Sequence, residues 1–213
     1  MSVPRVTWTA TVGSIFDCMY ELQFRTRMIT GVFWGQVFER ELELALKEDQ
    51  EKYALMIDYD SIFDARDIVR LWEIMESDKS ITSLCPVQVM RECDRHLYRR
   101  KMETERKQNG VIDIEHGHFG LTLIRLSHLH GLPRPLFRAI PDPDGGWGPL
   151  KVDEDINFWN QLNKYGRRVC MAPDVKIGHL QLMVTWPNGD GASHQYVNDY
   201  KAKGRPSNCE VTE

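Results

Sequence analysis

The chain has 213 residues, enough for one domain with a substantial core, and its 42% hydrophobic and 10% aromatic content is that of a folded globule. A formal net charge of -4 gives no general reason to expect nucleic acid or a membrane surface as partner. No apolar run approaches the roughly 20 residues that span a bilayer, and no basic-then-apolar leader opens the chain. The five cysteines (Cys18, Cys85, Cys93, Cys170 and Cys209) are scattered without C-x-x-C spacing. The expectation is a cytoplasmic protein with reduced thiols.

Val3 to Ala10 alternates and is rich in Val, Thr and Trp, which predicts a first strand ending near Thr9 and Thr11. Ser14, three before Asp17, fits a capping box for a helix through about Met28, and residues 28 to 34 could form a short strand. Gly35 to Lys47 reads as a helix with Phe38, Leu42, Ala45 and Leu46 on one face and Glu39, Arg40 and Glu43 on others. The apolar run from Tyr53 reads as a buried strand ending at Asp58. Asp64 can cap a further helix whose Ile68, Leu71, Trp72 and Met75 follow helical spacing, and Ile81 to Val89 is β-like again.

Between Arg91 and Lys107 crowd seven basic and four acidic residues, either a solvated excursion or a cationic arm for an anionic acceptor. Val111 to Ile114 and Leu121 to Leu126 read as strands around Gly117-His118-Phe119-Gly120. Pro141 to Pro149 is a Gly-rich loop leading into Asp153-Glu154-Asp155. There a helix begins that carries Ile156, Trp159 and Leu162 inward and stops at Gly166. Val169 to Met171 and Val175 to Ile177 resemble two short strands, the second delivering Gly178-His179, and from Trp186 onward the chain reads as loop.

Strand, helix, strand, helix, strand predicts a parallel α/β sheet, in which ligands collect beyond the carboxyl ends of the strands. Asp58 and Asp60 follow such an end. Two acids at i, i+2 there can serve a hard divalent cation, which takes oxygen ligands and keeps positions open for substrate phosphates; the same pattern also fits an acidic turn after a core strand. Asp153 and Asp155 could serve chemistry or the positive end of a helix. Trp147 could stack on a sugar or pin its loop.

Asp58-Tyr59-Asp60 after a strand, Glu154-Asp155 opening a helix after a Gly-rich loop, and His179 after a late strand come in a fixed order. Gly120-Leu-Thr-Leu-Ile-Arg125 and Gly166-Arg-Arg-Val169 lie between them. This ordered set resembles the GT-A fold nucleotide-sugar glycosyltransferases, most nearly the small family-two-like enzymes of bacteria and phages. The resemblance implies a GT-A-like, Rossmann-like, mostly parallel sheet flanked by helices in a single domain. That domain would span residues 1 to 180, with a nucleotide and metal half (1 to 90), an acceptor half (111 to 180), and a C-terminal tail over 181 to 213.

By the same resemblance, Asp58 reaches the ribose or the metal, Asp60 binds Mn²⁺ or Mg²⁺, and His179 completes the metal site. Asp155 is the base of an inverting enzyme, with Glu154 beside it; Thr9 and Thr11 hold the nucleotide base, and Arg40 is a further donor-site candidate. The donor would be a nucleoside-diphosphate sugar of UDP or GDP type. The acceptor is open, a glycan or a modified nucleic acid among the candidates. The sequence departs from the family in having no clear donor-site acid between the first strand and Asp58: Asp49 lies in a polar turn and Asp17 on a helix. Two alternatives stand beside the transferase: a metal-dependent nucleotidyl or phosphoryl transferase or nuclease, and a non-catalytic sugar- or nucleotide-binding domain.

Overall fold

A computed structural model of the chain describes residues 9–27, 29, 31, 33–47, 52–92, 95–100, 110–188 and 191–207. In chain order the elements are helices α1 (Thr9–Leu22) and α2 (Trp34–Lys47), strands β1 (Tyr53–Ile57) and β2 (Ser61–Ile62), helix α3 (Ala65–Ser77), and strands β3 (Ile81–Val87), β4 (Arg99–Arg100), β5 (Ile112–His116) and β6 (Leu121–Arg125). A 3-10 turn (Leu126–Leu129) follows, then α4 (Glu154–Lys164), β7 (Arg168–Lys176), β8 (Gly178–His179), β9 (Met183–Asn188), β10 (Gly191–Tyr196) and α5 (Val197–Lys203).

The main sheet has six strands in the order β1-β6-β3-β7-β5-β4. Among the described residues only β3 and β7 pair in parallel; β1 with β6, β6 with β3, β7 with β5 and β5 with β4 are antiparallel. The mostly parallel, Rossmann-like sheet expected from the sequence is therefore not what forms. The reason is β6, which returns through Gly117 to Gly120 and inserts antiparallel between β1 and β3. Alternation and length identify strands without giving their order. Because β1 and β3 both run against β6, and β7 runs with β3, the carboxyl ends of β1, β3 and β7 still emerge at one edge. This shared edge is what assembles the candidate site.

Side chains alternate across the sheet with a period of two. Leu84, Leu121, Leu123, Cys170 and Ala172 face one core with α3 and Cys18 of α1. Cys85, Ile124, Val169 and Met171 face the other with Leu42 of α2 and Phe158, Trp159 and Leu162 of α4. Helix α3 is secured at its start by a reciprocal capping box between Asp64 and Asp67, a device whose loss typically costs about 1 kcal/mol. Ile68, Leu71, Ile74 and Met75 turn inward, whereas Trp72, expected among them, is largely exposed. Helix α4 ends as expected at Gly166, whose φ of +67 is easy for glycine. The N–H groups of Gly166 and Arg167 donate to the carbonyls of Asn163 and Leu162, satisfying two helix-end acceptors.

Several sequence-based expectations are corrected. Thr9 and Thr11 do not end a strand; both lie in the first turn of α1, Thr9 exposed and Thr11 buried. The β-branched start of this segment loses to a helical face on which Ile15, Cys18 and Leu22 pack. Most of the expected first strand, residues 3 to 8, lies outside the described residues, as do 101 to 109 of the charged arm, Asp49, Cys93 and Cys209. Ser14 does not cap a helix but accepts a 3.5 Å bond from the Phe63 N–H. No regular structure forms at 29 or 31. Arg168 to Lys176 is one strand rather than two, and the expected C-terminal loop contains the β9–β10 hairpin and α5.

Glu39, placed by periodicity on a polar face, is buried. Its carboxylate accepts from the Leu136 and Phe137 N–H groups at 2.8 and 2.9 Å and pairs with Arg134 at 2.9 Å. Cys18, Cys85 and Cys170 are free and buried. No helix among the described residues is long and apolar enough to cross a membrane.

Candidate active site

The strand Tyr53–Ile57 ends in the turn Asp58-Tyr59-Asp60, and the chain then forms the two-residue strand β2. That strand pairs antiparallel with β8, placing Ser61 opposite His179 and Ile62 opposite Gly178. The Leu180 N–H donates to the Asp60 carbonyl at 2.8 Å. Two segments almost 120 residues apart in sequence, as the Asp60–His179 separation of 119 shows, are thus clamped through backbone bonds. From the neighbouring strand end, the Gln88 amide nitrogen donates to Ser61 Oγ and to the Gly178 carbonyl, each at 3.1 Å. A Cβ on Gly120 would sit 2.3 Å from Gln88 Oε1, so glycine there makes room for this buried amide. His118, also buried, donates from Nε2 to the Pro86 carbonyl (2.9 Å) and accepts from the Gly120 N–H at Nδ1 (3.1 Å). Burial lowers its pKa to about 4, keeping it neutral and structural.

Asp60 is only 2% exposed. Its Oδ2 lies 3.2 Å from His179 Nε2 and 2.7 Å from Arg91 Nη2, while Oδ1 is buried with no hydrogen-bond partner among the described residues. His179 Nδ1 is 2.8 Å from the Val89 carbonyl, to which it donates. With Nδ1 a donor, Nε2 accepts from Arg91 when the ring is neutral and can donate to Asp60 only when the ring is protonated; the neutral form offers the lone pair that a metal-binding imidazole needs. Burial pulls the His179 pKa down, but the Asp60 carboxylate and the Val89 carbonyl, which accept from the protonated ring, outweigh it and the net shift is upward.

Among the described residues, Asp58 accepts from its neighbour, the Tyr59 N–H, at 2.9 Å. Burial, and then the Asp60 charge, push its carboxyl up to about 6. Tyr59 is likewise shifted up by burial, and its ring lies under the Arg91 guanidinium at 5.4 Å. A carboxylate oxygen and an imidazole nitrogen side by side, with a further carboxylate oxygen buried and unpartnered, fit a hard divalent cation that draws its remaining ligands from phosphate. Among the described residues no three His, Cys, Asp or Glu side chains converge as a metal centre, so Asp58 stands beside the pair rather than as a third preformed ligand.

Asp155 occupies the first turn of α4, where its carboxylate accepts from the Ile156 N–H at 2.8 Å. Its pKa is raised, first by burial and then by the charges of Asp153 and Glu154, against the Ile156 hydrogen bond. Asp153 holds the N-cap position without capping by its side chain and pairs with Lys151 at 2.7 Å. Glu154 packs tightly on α2, since a Cβ on Gly35 would meet its Cβ and Cγ at 2.8 Å.

The preceding Gly-rich loop is tied by Asp142, which accepts from the Gly148 N–H at 2.7 Å and donates its own N–H to the Gly146 carbonyl at 2.9 Å. Trp147 in this loop is 64% exposed. Thr9 and Thr11 sit on α1 and Arg40 on the solvent face of α2. No hydrogen bond or ion pair joins any of them to Asp58, Asp60 or His179 among the described residues. Sequence inspection missed Arg91, which lay in a run read as charge, and Gln88 and Ser61, which carry no motif. The one available signal was at Gln88, an uncharged polar side chain at the end of the apolar strand β3.

No family profile matches the sequence, and no curated protein matches it. Among solved structures the chain is similar to the crystal structure of A197 from STIV, with a TM-score of 0.55 and 14% sequence identity over 78% of each chain. The shared feature is the fold.

Proposed function

We propose that the protein is a metal-dependent, inverting glycosyltransferase that moves a sugar from a nucleoside-diphosphate sugar to a hydroxyl acceptor. The observation that carries this is the Asp60–His179 pair, brought together at the sheet edge where the ligands of layered α/β proteins collect. It is supported by the order of the motifs along the chain. Asp60 and His179 would hold Mn²⁺ or Mg²⁺, with Asp58 adding negative charge beside them. Bound there, a divalent cation would supply neutralisation of the charge that grows on a leaving diphosphate. Asp155 would take the proton from the attacking acceptor hydroxyl. Its raised pKa suits that role, because a base works best when its pKa approaches the working pH. The exposed indole of Trp147 offers a face for a sugar ring.

A two-metal nuclease or nucleotidyl transferase is less well supported, since such sites converge several acids on paired cations and the described residues contain no such group. The test is thermal stabilisation by a panel of nucleotide sugars with Mn²⁺. A ligand at 100 times its Kd adds about 2.7 kcal/mol to the folded state. One nucleotide class should stabilise the wild type selectively, and Asp60→Asn should lose the metal-dependent part of that gain while folding normally. If no nucleotide sugar stabilises the wild type, the proposal fails.

A further inference from the structure

Arg91 sits where a cation would be expected. Its Nη2 is 2.7 Å from Asp60 Oδ2 and its Nε donates to His179 Nε2 at 3.1 Å, so one guanidinium bridges both acceptors. The acceptors are buried, but the Arg91 side chain is 40% exposed, covering them from the solvent side. An ordinary structural ion pair of this depth would be expected to satisfy both carboxylate oxygens, yet Asp60 Oδ1 has no partner among the described residues.

The backbone next to Arg91 is also unusual. Glu92 holds a φ of +55, a left-handed conformation uncommon for a residue with a side chain. It is kept there by its N–H donating to Gln181 Oε1 at 2.7 Å and its carboxylate accepting from the Asn198 N–H at 3.2 Å. Arg91 is therefore carried on a short turn, closed by the Met90 N–H on the Arg95 carbonyl, that is anchored from outside the sheet.

We propose that Arg91 is an intramolecular counter-cation for Asp60 and His179 that a divalent metal must displace, so that the guanidinium and the metal occupy this pair in turn. The inference rests on the metal-binding role proposed above. Its consequence is a tax on metal affinity: the free protein binds metal only in the fraction of molecules whose Arg91 has swung away. Once released, the arginine is a mobile positive charge at the mouth of a site for an anionic ligand, where its planar donor fork suits phosphate oxygens.

The experiment is a Mn²⁺ titration followed by electron paramagnetic resonance, without nucleotide, on wild type, Arg91→Ala and Arg91→Lys. The arginine Nε–H resonances of the wild type would be recorded alongside, with and without Mg²⁺. Arg91→Ala should bind Mn²⁺ about tenfold or more tightly than wild type, the worth of a lost charge-assisted competitor. Arg91→Lys, which cannot bridge both acceptors through one planar group, should fall between, and Mg²⁺ should move the Arg91 Nε–H signal. Equal or weaker Mn²⁺ binding by Arg91→Ala, with wild type still binding, overturns the exchange alone. Absence of Mn²⁺ binding in both proteins overturns the metal role of Asp60 and His179, and the exchange with it.

Discussion

The two edges of the sheet hold acidic clusters of opposite character. At the amino ends of β3 and β7, Arg168 donates from Nε to Asp113 at 2.8 Å and from Nη1 to Asp78 at 2.6 Å and Ser80 at 2.8 Å. Burial alone would push Asp78 up, but the hydrogen bonds from Ser80 and Arg168 hold it down at about 2. At the carboxyl ends, Asp58 is pushed up to about 6 and Asp60 keeps an oxygen with no partner among the described residues. Both clusters contain two aspartates and an arginine. One is satisfied from all sides by protein, as a structural cluster should be; the other is left unfinished, which is the condition for receiving something else.

The sharpest way to break this comparison is to remove the satisfying group from the finished edge. Arg168→Ala would leave Asp78 and Asp113 partly buried and uncompensated, a change that costs about 3 kcal/mol or more for buried pairs. Chemical denaturation should show that loss, with nucleotide affinity of the folded fraction unchanged. A loss under about 1 kcal/mol would mean that this edge is no more structural than the other.

Asp155→Asn acts at the start of α4 and should divide binding from turnover. A base that touches only the acceptor hydroxyl contributes in the transition state, so donor affinity should stay while transfer falls by about 10²-fold or more. The amide can still accept from the Ile156 N–H, leaving stability near wild type. Wild-type transfer by this variant would remove Asp155 from the chemistry.

What could be read from the sequence follows the range of the interactions. Helices α2 and α3 and strands β1, β3 and β6 were visible because their signals are local: apolar spacing, and Asp64 capping the helix that it precedes. The order of Asp58, Asp60, Asp155 and His179 was visible as pattern. Sheet order was not, because β6 inserts between β1 and β3 through pairings that no local signal encodes. Glu39 looked solvent-facing because its partners, the Leu136 and Phe137 N–H groups, lie 97 and 98 residues away. Arg91 looked like one solvated charge among many for the same reason; Asp60 and His179 reach it from remote segments.

The smallest expected effect is the most diagnostic of the unfinished edge, because it reverses the usual sign of a polar substitution. Asp58 has an ordinary pKa of 3.8 and a folded-state value of about 6, so between those pH values the folded state binds more protons than the unfolded one. Stability therefore falls as pH rises from about 4 to about 6, and stays at the lower level above that. Two pKa units set an upper limit of about 3 kcal/mol, and partial exposure with coupling to Asp60 reduces it to about 1 kcal/mol. Asp58→Asn removes the ionisation while its amide oxygen can still accept from the Tyr59 N–H. The variant should be more stable than wild type at pH 8 by about 1 kcal/mol and no more stable at pH 4. Saturating Mn²⁺ should narrow the gap by favouring the wild-type carboxylate. Denaturation curves at the two pH values decide it: a variant that is less stable than wild type at pH 8 would place Asp58 with the satisfied acids at the other end of the sheet.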